Sequence, residues 1–341
     1  MQMDANKLPT PSLINIDYGF ATPFASNKQG RTFTGSIYDA KGHICQSSQR
    51  TTLGNNEWKP NDTASITPPS DLNFIKGRSL YLGHYTGHYG HFLIETLSRF
   101  WAIHHIDALQ FYDHYIFHPF LHQCPSFKSF APAALALKAF NILDKDIILI
   151  DQYTGFENIS VPSSLFQINF GVRQEMRNTY NQLVNYSKSN QPQRSRLQHI
   201  VNFFNKAPVS DKVYVSRRRT KGYHPMRNEK EVEAVFKHHG FFILHPEHYS
   251  YQDQIILLNN ASVLAGVEGS GLHNSVFMTR GQKVIQIGTP REPSGDILNQ
   301  RLCNSLSDVI SHHIPYHGNT IRGNKAIYDL NFIRKSLDEI L

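Results

Sequence analysis

The stretch ASVLAGVEGSGLHNSVFM, residues 261–278, decides how this chain reads. Its apolar start predicts a short buried strand over 262–265, its glycines a turn over 266–271, and the residues from Leu272 onward a helix reaching 279. Gly269 and Gly271 let the backbone come close to a ligand, and a helix behind them aims free N–H groups and the positive end of its dipole at that ligand. An anionic guest suits such a turn. The same residues also make a tight strand-to-helix connection that binds nothing. Polar His273 and Asn274, however, stand where a purely structural helix start would offer apolar side chains.

A dinucleotide is the first anion to test, through the pattern Gly-x-Gly-x-x-Gly followed by an acid at the end of the next strand. Here Asn274 occupies the third glycine position, and the next strand, 283–287, ends in Gly288 with no acid. NAD is therefore disfavoured. A phosphate-binding P-loop sequence is absent as well.

At 341 residues the chain has length for two ordinary domains, each with its own core. Hydrophobic residues at 40% and charged residues at 18% are typical of a soluble globular protein, and no apolar run approaches the roughly 20 residues of a membrane span. The start, MQMDANKLPTPS, lacks the basic and apolar regions of a signal peptide, so the expected compartment is the cytoplasm. Cys45, Cys124 and Cys303 stand far apart, which indicates neither a disulfide framework nor a cysteine zinc site. The net charge of +7 and pI near 9.2 point to an anionic partner: a phosphorylated substrate, a polyanion or the anionic surface of a membrane. The basic residues cluster at Arg217, Arg218, Arg219, Lys221 and Arg227. That is a site-sized patch, and no nucleic-acid-binding module is legible.

Residues 1 to about 75 read as a few strands with long connections and carry no recognisable chemistry. A strand follows over 78–82, then a loop over 83–90 bearing His84, His88 and Tyr89, then a helix over about 91–105. On that helix Leu93, Leu97, Phe100, Trp101 and His104 form the buried stripe, while His91, Glu95 and Arg99 fall one turn apart on another face. Further strands are expected over 113–118, 147–151 and 158–161, and helices over 132–143, 174–188 and 197–205. The polar segment 187–195 is the expected seam between domains.

A compact second series comes next. Strands are predicted over 212–216, 241–244, 262–265 and 283–287, with helices over 228–239, 250–259 and 272–279. Asn228 caps the first of these helices, with Glu231 placed as in a capping box. Short apolar strands alternating with helices mean a parallel sheet covered on both faces, which binds ligands at the carboxyl ends of its strands. Both the Arg217–Arg219 loop and the glycine turn lie there. A closing helix over about 330–341 is free to pack on either domain.

Three blocks now line up: GHFLIETLSR (90–99), YVSRRR (214–219) with Arg227, Asn228 and Glu229, and EGSGLHN (268–274). In order and approximate spacing they resemble glycosyltransferase family 61, which includes bacterial capsular polysaccharide enzymes and eukaryotic xylosyl-, arabinosyl- and N-acetylglucosaminyltransferases. The resemblance covers about residues 78–290. It implies an α/β chain of GT-B type, with two Rossmann-like domains facing a central cleft: an acceptor-side domain over 1–190, a nucleotide-sugar domain over 191–325 and the closing helix over 326–341. It implies an inverting transferase of capsule or lipopolysaccharide synthesis. The donor is a nucleotide-sugar, expected to be UDP-linked; the acceptor is a glycan or lipid-linked glycan. No cofactor is expected. One departure is Glu268, which stands where the family often has His.

Inverting transfer needs a base for the acceptor hydroxyl and a stabiliser for the departing diphosphate. The donor-side set is Arg217, Arg218, Arg227, Asn228 and Glu229, with Glu268, Gly269, Ser270, Gly271, Leu272, His273 and Asn274. Guanidinium forks match phosphate oxygens, although the same arginines also suit a solvated basic loop. The base is Glu95 or His91, with His84, His88, Tyr89 and Arg99 on the acceptor-side loop. The alternative is an i,i+4 salt bridge between Glu95 and Arg99, with His91 capping the helix. A metal triad of His84, His88 and His91 lacks a completing ligand, and with 19 histidines chance clustering explains it. Asp144 and Asp146 form a DxD pair that precedes its strand rather than following it, so transfer is expected to be metal-independent. A catalytically inactive nucleotide-sugar-binding or regulatory protein is the second reading, and a phosphate-ester hydrolase or kinase the third.

Overall fold

Alternation of side chains sorts the strands of the second half of the chain onto two cores. A computed structural model describes residues 8–29, 31–50, 59–104, 112–120, 124–143, 146–190, 211–219, 226–321 and 325–341. The chain forms two compact units, Met1–Thr179 and Tyr180–Leu341, dividing inside the helix Arg177–Ser189. The expected helix over 197–205, most of the seam beyond 190, Lys221, Asp144 and the side chain of His104 lie outside the described residues.

The second unit is built on a five-stranded sheet in the spatial order Phe242–Leu244, Lys212–Val215, Val263–Val267, Lys283–Ile287, Ile310–Ile314. All four pairings are parallel. Val263, Ala265 and Val267 face one core with Ile285 and Ile287, while Leu264 and Val284 face the other. The period of two thus covers both faces, as near-continuous apolar strands require. The helices Glu229–His238 and Leu330–Ile340 fill the first core through Val232, Phe236, Ile333 and Leu337; Tyr251–Asn260 fills the second through Ile256 and Leu258. The closing helix therefore belongs to this unit. Asp329 starts it by accepting the N–H groups of Asn331 and Phe332. A helix over Leu298–Ser307 and strands over Ile310–Ile314, Gly318–Ile321 and Lys325–Tyr328 add to what the sequence predicted.

The first unit carries a seven-stranded mixed sheet. Thr154–Pro162, Asn73–Tyr85, His114–Pro119 and Ile147–Leu149 run parallel. The short strands Leu13–Asp17, Phe20–Ala21 and Ile37–Tyr38 join antiparallel at its other side. Tyr81, Ile116, Ile150, Phe156, Ile159 and Val161 make its core. Among the described residues no helix is long and apolar enough to cross a membrane.

Candidate active site

In the first unit the site grows from the strand Asn73–Tyr85. Its pairing with His114–Pro119 slips between Tyr81 and His84, and Gly83 takes φ +88° within that bulge. A Cβ at Gly83 would stand 2.7 Å from Arg99 Nη1, so glycine here lets the guanidinium lie against the strand. His84, expected in the loop, is the penultimate residue of the strand and is buried.

The helix expected over 91–105 is interrupted. An α-helix covers only Tyr89–Ile94, and a 3-10 helix continues over Thr96–His104. With three residues per turn instead of 3.6, Arg99 leaves the row that His91 and Glu95 share. Arg99 instead donates from Nε to the Pro162 carbonyl and from Nη2 to the carbonyls of Ser47 and Gln49. The i,i+4 bridge between Glu95 and Arg99 does not form. Nor does His91 cap the helix: His88 is the N-cap, and its Nδ1 accepts weakly from the His91 N–H at 3.5 Å. Leu93, Leu97 and Phe100 are buried as the stripe predicts. Trp101 is half-buried, its Nε1 donating to the Ser163 carbonyl.

His91 and Glu95 do meet, Nδ1 against Oε2. The strongest partner of Glu95 was not foreseen: Arg50 approaches with Nε 2.6 Å from Oε1, and its Nη2 donates to Oε2 at 3.0 Å. Burial alone would raise the Glu95 pKa, but the Arg50 charge, then the His91 charge and the hydrogen bonds from both, outweigh it and hold the carboxyl at about 2. An ionised carboxylate only accepts, so His91 Nδ1 donates, and it is in the neutral ring that Nε2 carries the lone pair. The His91 side chain remains 35% exposed, within reach of a ligand. Arg50 also shows that the N-terminal segment, expected to carry no chemistry, carries some.

In the second unit, the chain leaves Lys212–Val215 toward one core and Val263–Val267 toward the other, through Val232 on one side and Leu272 on the other. The order places a topological switch point between these neighbouring strands, where open α/β sheets take ligands. Arg217 spans it. Its main-chain N–H donates to Glu229 Oε1 at 2.7 Å, and its Nη1 donates to the Glu268 carbonyl at 3.1 Å. Arg218 Nε and Ser216 Oγ both donate to Glu233 Oε1, and Arg219 Nη1 meets His248 Nε2.

Arg218, Arg227, Lys230 and Lys325 line a cavity of about 260 Å³ together with Met226 and Glu229. The Glu229 carboxylate is buried and accepts from Arg217 N–H and from Tyr214 Oη, and Arg218 is paired with Glu233, so Arg227, Lys230 and Lys325 dominate the space. Lys230 and Lys325 were not predicted. Asn228 stands at the helix start, but its side chain does not cap it. The Asn228 amide exchanges two 2.9 Å hydrogen bonds with the main chain of Tyr328, pinning the strand that brings in Lys325. The expected capping box is replaced by this tie, and the Glu231 N–H goes to the Asn228 carbonyl.

The glycine turn is tighter than expected. Gly269 sits at φ +134°, and a Cβ there would stand 2.7 Å from Arg217 Nη1, so the glycine is what lets that arginine cross. The turn leads into a six-residue 3-10 helix, Leu272–Phe277, in place of an α-helix over 272–279. Its first N–H groups turn inward: Leu272 donates to the Gly269 carbonyl and His273 to that of Ser270. Leu272 is therefore no anion donor. Asn274 Nδ2 closes the turn on the Gly271 carbonyl, and His273 Nδ1 shares a hydrogen bond with Gln300 Oε1. These polar residues brace the turn, with Ser270 half-buried at its apex. Burial raises the Glu268 pKa above its ordinary value, with Arg217 pulling against the shift.

Among the described residues, no three His, Cys, Asp or Glu side chains converge to hold a metal ion. A family model described as Glycosyltransferase 61 matches residues 89–285. The match begins at Tyr89, the first residue of the helix bearing His91 and Glu95, and ends on the strand after the glycine turn. No curated protein matches the chain.

Proposed function

The chain belongs to glycosyltransferase family 61, and on that footing we propose that it transfers a sugar from a nucleotide-sugar, UDP-linked, to a glycan or lipid-linked glycan acceptor with inversion. The observation that carries this reading is His91: its Nδ1 is held by a carboxylate that Arg50 keeps ionised, and its ring is partly exposed, so that in its neutral form Nε2 offers a lone pair to an acceptor. Imidazole so held is a general base. Nε2 takes the proton of the acceptor hydroxyl as its oxygen bonds to the anomeric carbon, and the bond from that carbon to the diphosphate oxygen breaks. Glu95 orients the ring and offsets the imidazolium charge as it forms.

For the leaving group, the cavity lined by Arg218, Arg227, Lys230 and Lys325 offers a cluster of cations suited to a diphosphate. Arg217 is largely spent on binding the two loops together, so its role is to shape the site. No step asks for a metal ion in this reading. Membership of a family that includes capsular polysaccharide enzymes is the ground for proposing a place in the building of a bacterial capsule or lipopolysaccharide.

The test is release of UDP from UDP-sugars with and without glycan acceptors. Release is expected only when an acceptor is present, and His91→Gln is expected to lower it about a hundredfold or more without weakening UDP binding. UDP binding with no acceptor-dependent release from any donor would instead favour a binding protein that has lost catalysis.

A further inference from the structure

A small cavity lies directly behind Glu95. It measures about 20 Å³, with Gln49, Arg50, His84, Thr86, Glu95 and Arg99 among its lining. By that measure it holds one or two waters, or the two oxygens of one planar group.

Two features of the lining call for a ligand. His84 is 5% exposed, and neither of its ring nitrogens has a hydrogen-bond partner of good geometry, the main chain of Gly35 making only a weak contact with the ring. Its ring is fixed by edge contacts with Phe33 and Phe120 and by stacking on His118, and Thr96 Oγ1 donates to its carbonyl, so it cannot swing out to water. An orphaned imidazole at this depth is costly. Burial, then His118, Arg99 and Arg50, push its pKa well below the ordinary value, so the ring stays neutral with one N–H to give.

The second feature is charge. Two guanidinium groups and one carboxylate line the cavity, and the carboxylate is already taken by Arg50 and His91. Arg99 is 4% exposed and makes no ion pair among the described residues; it donates to the carbonyls of Pro162, Ser47 and Gln49. Glu95 acts on Arg99 from a distance but shares its charge with Arg50, so two buried guanidinium groups face one carboxylate, an imbalance that an incoming anion relieves. Donors also exceed acceptors, since Arg99, Arg50, Gln49, Thr86 and His84 all have N–H or O–H groups and only Glu95 brings charge of the opposite sign.

We propose that this cavity seats the carboxylate of an acidic sugar, so that the transferase acts on uronic-acid-type glycans. A tetrahedral phosphate is too large for the space, and a neutral hydroxymethyl group leaves Arg99 uncompensated. The inference rests on the transferase reading for the identity of the sugar. The site itself rests on His84 and Arg99.

Calorimetry on the full chain with saturating UDP tests it, comparing methyl β-D-glucuronide, methyl β-D-glucoside and sodium acetate. The glucuronide should bind at least about tenfold more tightly than the glucoside, and this ratio needs no variant. In Arg99→Gln and in His84→Gln the ratio should fall toward one while the glucoside affinity stays; either variant serves if the other does not fold. A parallel comparison of UDP-glucuronate with UDP-glucose distinguishes the source: preference there alone assigns the carboxylate to the transferred sugar, and preference among the glycosides alone assigns it to the acceptor. Equal affinities in both comparisons overturn the proposal. So does a preference that survives both substitutions, or acetate binding as tightly as the glucuronide, which marks an adventitious ion only. If UDP is released on transfer while every ratio is one, the acidic-sugar assignment alone falls. If UDP neither binds nor is released, the transferase reading falls first.

Discussion

Replacing Arg50 by Met tests the electrostatic core of the site. Glu95 is held at about 2 against an ordinary 4.5, and each pKa unit is worth about 1.4 kcal/mol, so the ionised carboxylate contributes on the order of 3 kcal/mol to folding. The largest single stabilising contribution comes from the charge of Arg50, whose Nε lies 2.6 Å from Oε1. Met keeps an apolar stem against the Phe120 ring, over which the guanidinium now sits at 4.8 Å, but leaves Glu95 buried with the His91 ring as its remaining side-chain partner. The expected loss at pH 7 is about 3–5 kcal/mol. Because the folded pKa lies below the unfolded one, the Glu95 contribution is full above about 4.5 and is lost as pH falls toward 2. By pH 3.5 about 1.4 kcal/mol of it is gone, so the gap between wild type and variant should narrow by about that amount. Urea unfolding followed by tryptophan fluorescence measures it. Trp101 lies in the first unit, so with Trp58 replaced by Phe in both proteins the signal reports that unit without assuming that the whole chain unfolds in one step. A gap below about 1 kcal/mol at pH 7, or one that does not narrow on acidification, would refute the assignment.

The same geometry sets three further outcomes. Glu95→Gln should lower transfer about a hundredfold while leaving UDP affinity within about twofold, since the carboxylate orients His91 and does not line the basic cavity; full activity would remove Glu95 from the mechanism. Arg227→Ala and Lys325→Ala should each weaken UDP binding about tenfold and flatten its dependence on salt, read by calorimetry at two ionic strengths; unchanged affinity in both would place the diphosphate elsewhere. His118 has both nitrogens engaged, Nε2 donating to the Thr22 carbonyl and Nδ1 accepting from Tyr81 Oη, and burial lowers its pKa to about 4. The unfolded chain then binds that proton first, so stability is full above about 6.5 and falls by on the order of 3 kcal/mol as pH drops through 4; His118→Gln should flatten the tryptophan-detected melting temperature over that window.

How far the sequence carried the structure depends on the range of the interaction that decides each element. Lys283–Ile287 was legible to the residue, because Val284, Ile285 and Ile287 form a short β-branched segment bounded by Gly281 and Gly288, which has one reading in a parallel sheet. The meeting of His91 and Glu95 was legible too, since four residues on a helix set it by local geometry. Arg99 was misplaced for a local reason of a subtler kind: the shift from α to 3-10 after Glu95 leaves no mark in the apolar stripe, as Leu93, Leu97 and Phe100 suit either helix.

Arg50 was out of reach for a different reason. Forty-five residues separate it from Glu95, and it lies just past a short 3-10 turn with no periodicity to reveal which way it faces. Lys325 is a similar case, drawn to Arg227 only because Asn228 ties its side chain to Tyr328 instead of capping its own helix. In each case the residue that reads as functional from sequence is completed by a charge brought from a distant segment. A lone histidine beside a glutamate is common on helices. What separates this pair from an ordinary surface contact is the buried guanidinium that keeps the carboxylate ionised, so Arg50 belongs to the chemistry of the site as much as to its stability. Restoring the positive charge should therefore restore orientation of His91: Arg50→Lys should recover more of the transfer rate than Arg50→Met at equal stability, and equal rates in the two would reduce Arg50 to a packing role.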